Sequence, residues 1–183
     1  MDKGNVYRGR ELSRDKSPVG GYIDKVIGKW DKADKVCADY KKCVSRVAKH
    51  NIVRQMKNYE HHGNTSCYQH SLHVSYYNYL ICKKLGLDYK AAARAGMLHD
   101  LFLYDWHDYK PRYDERLHGF QHPDKALKNA QAHFKISKKE GDIIKKHMFP
   151  LTLTLPKYKE TCVIVLTDKF CSMCEVIDGF VRK

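Results

Sequence analysis

The chain carries 11 histidines. A histidine can be a metal ligand, a proton shuttle or a polar core residue, and position decides which. His70 lies on a helical stripe with Val74, Tyr77 and Ile81, so its ring points inward. The His99-Asp100 doublet follows Met97-Leu98 and precedes Leu101-Phe102. A carboxylate inside such an apolar run is costly unless a cation neutralises it. His147 follows Ile143 and Ile144 at helical spacing and also faces inward. Asp168 shares its face with Ile164, Val165 and Cys171, a second acid on an apolar stripe. Singly, each is explained as a hydrogen-bonded core group. Together they come from four separate predicted helices, and one shared cation site at the centre of a bundle satisfies them all. Mixed imidazole and carboxylate ligation suits Zn, Mn, Fe, Co or Ni better than Ca.

Thiol chemistry is not needed. The chain has seven cysteines, an odd number, and an N-terminus without the apolar stretch of a secretory signal, so a disulfide framework is not expected. A cytoplasmic location is expected instead. Cys171 and Cys174 form a single C-x-x-C, and a structural zinc site usually needs a second such pair. Cys171 reads as a small buried hydrophobe. No cysteine stands in a recognisable Cys/His nucleophile signature.

The elements that must position these residues are helical. Residues 1–21, rich in Gly and charge, read as a flexible lead-in. Residues 22–58 read as a helical arm. Ile23, Val26, Ile27 and Trp30 form one apolar stripe, and Val36, Cys37, Tyr40, Val44 and Val47 form another. Gly28 and the uncertain phase between the stripes leave room for a break. His61 to Asn64 reads as a turn, with Thr65 as N-cap of a helix running to about Leu85 and stopping at Gly86. Asp88 caps the next helix, whose Ala91, Ala92, Ala93, Ala95 and Gly96 let a neighbour approach closely. Residues 105–121 read as a polar, aromatic loop. His122-Pro123 is expected to open a short helix. Ser137 and Glu140 form a capping box for the helix that carries His147 and ends at Pro150. Residues 151–155 read as an extended linker, and 157–178 as a last helix ending at Gly179. Six or seven helices without convincing strands predict an all-α fold, a compact helical bundle over 22–183.

At this point the ordered set of motifs resembles the HD-domain superfamily of metal-dependent phosphohydrolases. "YQHSLHVSYY" is similar to that family's first-histidine helix, and "GMLHDL" to its namesake doublet. "HPDKAL" and "IIKKHMFP" are similar to its intermediate histidines, and "VLTDKF" to its terminal aspartate helix. The resemblance spans about Thr65 to Asp178, with the HD core taken as 59–178. It implies that His70, His99, Asp100 and Asp168 bind one metal, and that His122 and His147 hold a second, with Asp100 bridging. That combination resembles the dinuclear subgroup, which includes bacterial HD-type hydrolases of diadenosine tetraphosphate. The Gly-Tyr-Pro signature of the cyclic-di-GMP branch is absent after His147, where Met148-Phe149-Pro150 stands.

The implied cofactor is one or two divalent transition-metal ions, and the implied reaction is hydrolysis of a phosphate ester or anhydride by metal-activated water. Asp100 is the central catalytic candidate. His118 and Lys169 are candidates for binding substrate phosphate, and Arg94, Lys110, Arg112 and Lys146 for the mouth of the site. His61, His62, His73 and His107 read as structural hydrogen-bonding residues. Trp106, Tyr109, Tyr113 and Phe120 beside Lys110 and Arg112 suit a nucleobase plus phosphate, and equally suit packing of a long loop. A small phosphorylated substrate, a nucleotide or a related metabolite, is therefore expected. Two other readings stand beside it: a non-catalytic metal-stabilised or nucleic-acid-binding module, and an HD-type di-iron oxygenase.

Composition frames these readings. Lys and Arg number 34 against 21 Asp and Glu, a formal charge of +13 over 183 residues. With 43% hydrophobic and 30% charged residues, a disordered or low-complexity chain is excluded. No apolar run approaches the roughly 18–20 residues of a membrane-spanning helix. The basic excess points to an anionic partner, and nucleic acid stays a secondary possibility because no RRM, KH or zinc-finger signature is present.

Overall fold

The smallest side chains set the closest contact in the fold. A computed structural model describes residues 34–61, 65–105 and 117–181. In it, helix α3 (Cys67–Lys84) lies against α4 (Tyr89–Leu98). A Cβ on Gly96 would fall 2.8 Å from the Ser75 Cα, so only glycine fits there. One turn earlier, Ser75 Oγ donates to the Ala93 carbonyl at 2.6 Å. Ala92, Ala93 and Ala95 are fully buried. This backbone-to-backbone packing carries the end of α4, with His99 and Asp100, up to the inward face of α3.

The ends of these two helices follow local chemistry. The cap of α3 is Ser66, not Thr65 as expected. Ser66 is extended, its Oγ accepts from the Gln69 N–H, and Gln69 Oε1 accepts from the Ser66 N–H, a complete capping box. Thr65 is occupied elsewhere: its carbonyl accepts from the His61 N–H at 2.8 Å and closes the preceding turn. Residues 62–64, including His62, lie outside the described residues. At the other end α3 stops as expected, with Gly86 at φ +68°. Asp88 caps α4 by accepting from the Ala91 N–H.

Before α3 the described part of the expected helical arm is divided into three pieces. Helix α1 (Asp34–Ala48) ends near Lys49, and His50 then caps the single-turn α2 (Asn51–Arg54) by accepting from the Ile52 N–H. A 3₁₀ turn (Gln55–Asn58) follows. Val53 and Met56 of these two turns are both fully buried. The expected lead-in at 1–21 and the stripe from Ile23 to Trp30 lie outside the described residues.

Helix α5 (His118–His133) begins four residues before the expected His122-Pro123 opening. Pro123 therefore sits inside the helix, where its missing N–H forfeits only the bond to the Gly119 carbonyl. Helix α6 (Lys138–Lys146) has the expected Ser137–Glu140 capping box. Helix α7 (Lys159–Val181) runs through Gly179 instead of stopping there. A helix tolerates one glycine at a cost of about 1 kcal/mol, and the buried Asp178 keeps this turn docked. The fold is all-α, with one isolated β-bridge, Glu60 to Ser66, among the described residues. Val74, Leu98, Ile143, Ile144, Ile164 and Cys171 meet in the central core. No described helix is long and apolar enough to cross a membrane.

The α3–α4 contact yields a stability prediction. Gly96→Ala gains helix propensity but forces its methyl into the Ser75 backbone. A net loss of about 1–3 kcal/mol is expected, measured as a lower urea midpoint. An unchanged or raised midpoint would contradict the close approach.

Candidate metal centre

The Asp100 carboxylate is 3% exposed and sits among five imidazole rings. On one side, Oδ2 is 3.0 Å from His61 Nε2, 3.5 Å from His99 Nε2 and 3.8 Å from His70 Nε2. On the other, Oδ1 is 3.4 Å from His122 Nε2 and 3.6 Å from His147 Nε2. Asp168 Oδ1 joins the first group, 3.0 Å from His70 Nε2 and 3.4 Å from His99 Nε2. The structure thus brings together all six residues singled out in the sequence, from α3, α4, α5, α6 and α7 or their ends.

Helix geometry decides which ring nitrogen faces the centre. His99 Nδ1–H donates to the Gly96 carbonyl at 2.8 Å, and His147 Nδ1–H to the Ile144 carbonyl at 2.8 Å. His122 Nδ1–H donates to the His118 carbonyl at 3.0 Å. A carbonyl can only accept, so in each neutral ring Nε2 is left as a lone pair aimed inward. His70 is held differently: its Nδ1 lies 3.0 and 3.1 Å from the two oxygens of Glu175.

The donor set fits a divalent transition metal. His99 Nε2 and Asp100 Oδ1 are buried without a hydrogen-bond partner. His122 Nε2 and His147 Nε2 approach to 2.8 Å although both Nδ1 protons are committed to carbonyls. Two facing lone pairs repel unless a cation lies between them. Among the described residues three sets of donor atoms lie close enough to hold an ion: His61, His70 and Glu175; His70, His99 and Asp168; and His99, Asp100 and His147. Imidazole nitrogen with carboxylate oxygen is the ligand chemistry of Zn, Mn, Fe, Co and Ni.

Electrostatics separates the rings. Burial disfavours a charge on His70, but Glu175 and Asp168 outweigh it and raise its pKa to about 9. Burial drives His122 down to about 4, with the neighbouring His118 assisting. Burial, with His99 and His122 beside it, takes His147 to about 3. Burial pushes the Asp100 and Asp168 carboxyls up, yet the surrounding histidines hold both well below the usual carboxylate range.

A cleft of about 330 Å³ opens over the cluster and is lined by His61, Asp100, His118, His122, His147 and Asp168, with Lys169 and Ser172. Both expected phosphate contacts therefore reach it. His118 stacks on His122 with centroids 4.6 Å apart, and its Nδ1 is 2.8 Å from Tyr104 Oη. Lys169 Nζ donates to the His147 carbonyl at 3.4 Å. Two expected mouth residues are engaged elsewhere: Arg94 pairs with Glu140 at 3.1 Å, and Lys146 pairs with Asp142. Trp106, His107, Tyr109, Lys110, Arg112 and Tyr113 lie outside the described residues.

Two residues of the centre were not found by reading the sequence. Glu175 is 2% exposed and touches His61, His70 and His73. Its signal was present: Asp168, Cys171 and Glu175 share one helical face. His61 reads as structural because it stands in a turn. The closure of that turn by Thr65 stacks its ring on His70 at 3.7 Å.

The HD domain family model matches residues 67–173. The matched stretch includes His70, His99, Asp100, His122, His147 and Asp168, and stops short of His61 and Glu175. No curated protein and no solved structure matches the chain significantly.

The metal-free protein should show a stability optimum. The raised His70 contributes stability that is complete below its unfolded pKa of about 6.5 and is lost as pH rises through about 9. The depressed His122 and His147 contribute stability that is complete above about 6.5 and is lost as pH falls toward 4 and 3. Urea midpoints of metal-free protein should therefore peak near pH 6.5, at about the unperturbed histidine pKa. In Glu175→Gln the alkaline decline should move to lower pH. A variant profile parallel to wild type would contradict the assigned role of Glu175 on His70.

Proposed function

Because the chain belongs to the HD domain family, we propose that its histidine–aspartate centre binds divalent transition metal and hydrolyses a small phosphorylated substrate. The observation that carries this reading is the division of the Asp100 carboxylate, with His61, His70 and His99 on Oδ2 and His122 and His147 on Oδ1. A carboxylate with different histidines on each oxygen could serve two cations, one at each oxygen. His70, His99, Asp168 and Asp100 Oδ2 would hold one ion. His122, His147 and Asp100 Oδ1 would hold the other. The metal supplies Lewis acidity and lowers the pKa of water, so no serine or cysteine nucleophile is required.

The chain's own residues do the positioning. The Nδ1–carbonyl bonds keep three imidazoles aimed before anything binds, which lowers the ordering cost at the moment of reaction. The cleft has room for a phosphoryl group over Asp100, and on the side of α3 and α4 the rings of His70 and His99 are fully buried. Lys169 at the rim places a cation beside the phosphoryl oxygens. His118, turned toward the cleft and hydrogen-bonded to Tyr104, is positioned to pass a proton to the leaving oxygen. A nucleotide or related metabolite is the proposed substrate class, with 59–178 as the catalytic unit and the cytoplasm as its setting. The small size of the cleft supports a small molecule over a folded nucleic acid.

The test is elemental analysis of protein purified without chelator, followed by phosphate release across nucleotides and simple phosphate esters. Asp100→Ala and Asp168→Ala should each lose metal while keeping wild-type helicity. Activity should fall about 1,000-fold or more, roughly 4 kcal/mol of transition-state stabilisation. Metal content unchanged in the double variant would remove the site assignment. Fully metallated protein that hydrolyses no phosphate compound would instead favour a structural metal or an oxygenase.

A further inference from the structure

Helix α7 is apolar on two opposite faces. Its inner face carries Ile164, Cys171 and the acids of the centre. Its outer face presents Leu166, Phe170, Met173, Ile177 and Phe180, each between 50% and 74% exposed. A helix on the surface of a monomer normally turns charge toward water. Here Lys169 is the one charged residue among the exposed positions from Cys162 to Phe180. The acids of the helix, Glu160, Asp168, Glu175 and Asp178, are all buried. Among the described residues nothing covers this face beyond the edge of Tyr77 against Phe170.

We propose that the outer face of α7 is the pairing surface for a second copy of this chain. Three observations select that occupant. The first is spacing: Leu166, Phe170, Met173, Ile177 and Phe180 follow one another at intervals of four, three, four and three residues. That is the alternation of a heptad seam, whose side chains fit the gaps of a helix with the same repeat. A twofold axis supplies such a helix from an identical chain. The second is area. Burying these side chains and Val176 on both copies removes on the order of 1,200 Å², the lower end of what stable specific interfaces bury. The third is charge. Two chains of formal charge +13 repel, so contact costs least where the surface carries almost no charge. The outer face of α7 meets that condition. A nucleic acid or an anionic membrane would select the opposite, a face rich in Lys and Arg.

This inference rests on the packing of α7 and is independent of the metal reading. The test is sedimentation velocity of the full-length protein from low to high micromolar concentration, with and without the double substitution Phe170→Glu and Ile177→Glu. Wild type should move from 21.4 kDa toward twice that mass. The double variant should stay monomeric with unchanged helicity, its dissociation constant raised at least 100-fold. Leu153→Glu, an exposed leucine outside the seam, should dimerise like wild type. Wild type that remains monomeric at every concentration overturns the proposal, whether or not the double variant folds. So does a dimer that the double variant leaves intact. A wild-type monomer that instead co-sediments with phosphatidylcholine–phosphatidylserine vesicles overturns it in favour of a lipid surface.

Discussion

A carboxylate removed from water must be compensated where it stands, and Asp100 is removed from water almost completely. Much of the architecture answers that requirement. The alanines and Gly96 of α4 admit α3 at backbone distance, which brings His70 to the doublet. Helix α5 starts early enough to place both His118 and His122 on one side of the carboxylate. The capping box of α6 fixes the helix whose last residue hands over to His147. The turn closed by His61 and Thr65 adds a fifth ring. Moving any of these elements leaves a buried negative charge with one fewer partner, a penalty of several kcal/mol by general precedent.

What could be read from the sequence was governed by how local the cause is. Gly86, Asp88 and the Ser137–Glu140 pair act within one helical turn, and each acts as expected. The inward histidines were legible because an apolar stripe declares its own direction. Errors arose where two local signals competed. Thr65 and Ser66 are both good caps, and only the long-range pairing of Thr65 with His61 decides between them. Pro123 marks a helix start in isolation, but the helix begins four residues earlier at His118, whose ring packs on Phe102. Gly179 is a stop signal that the tertiary burial of Asp178 overrides. Glu175 was legible in principle, since it shares the face of Asp168. It was passed over because it lies beyond the motif that draws attention to that face.

The basic excess takes on a different form in three dimensions. Among the described residues seven acids are buried: Asp100, Glu140, Asp142, Glu160, Asp168, Glu175 and Asp178. No described lysine or arginine is buried. The solvent-facing balance of the described residues is therefore more positive than their formal charge, a field that would attract an anion toward the cleft. Part of the interior acidity is committed to cations at the edge of the fold, as in Lys139 with Glu160 and Lys146 with Asp142. The rest faces the histidine cluster.

Three of the central rings take their orientation from carbonyls of their own helix, one turn back, at Gly96, His118 and Ile144. Each ring is thereby a rigid extension of its helix axis and does not adjust to its neighbours. The cluster behaves as a calliper: distances between the Nε2 atoms register the spacing of the helices themselves. A substitution at a remote helix contact would leave every ligand present and still change which ion radius the centre accepts. For the proposed metal centre, selectivity among similar ions would then depend on the apolar core, through its alanines and glycine, as much as on the histidines themselves.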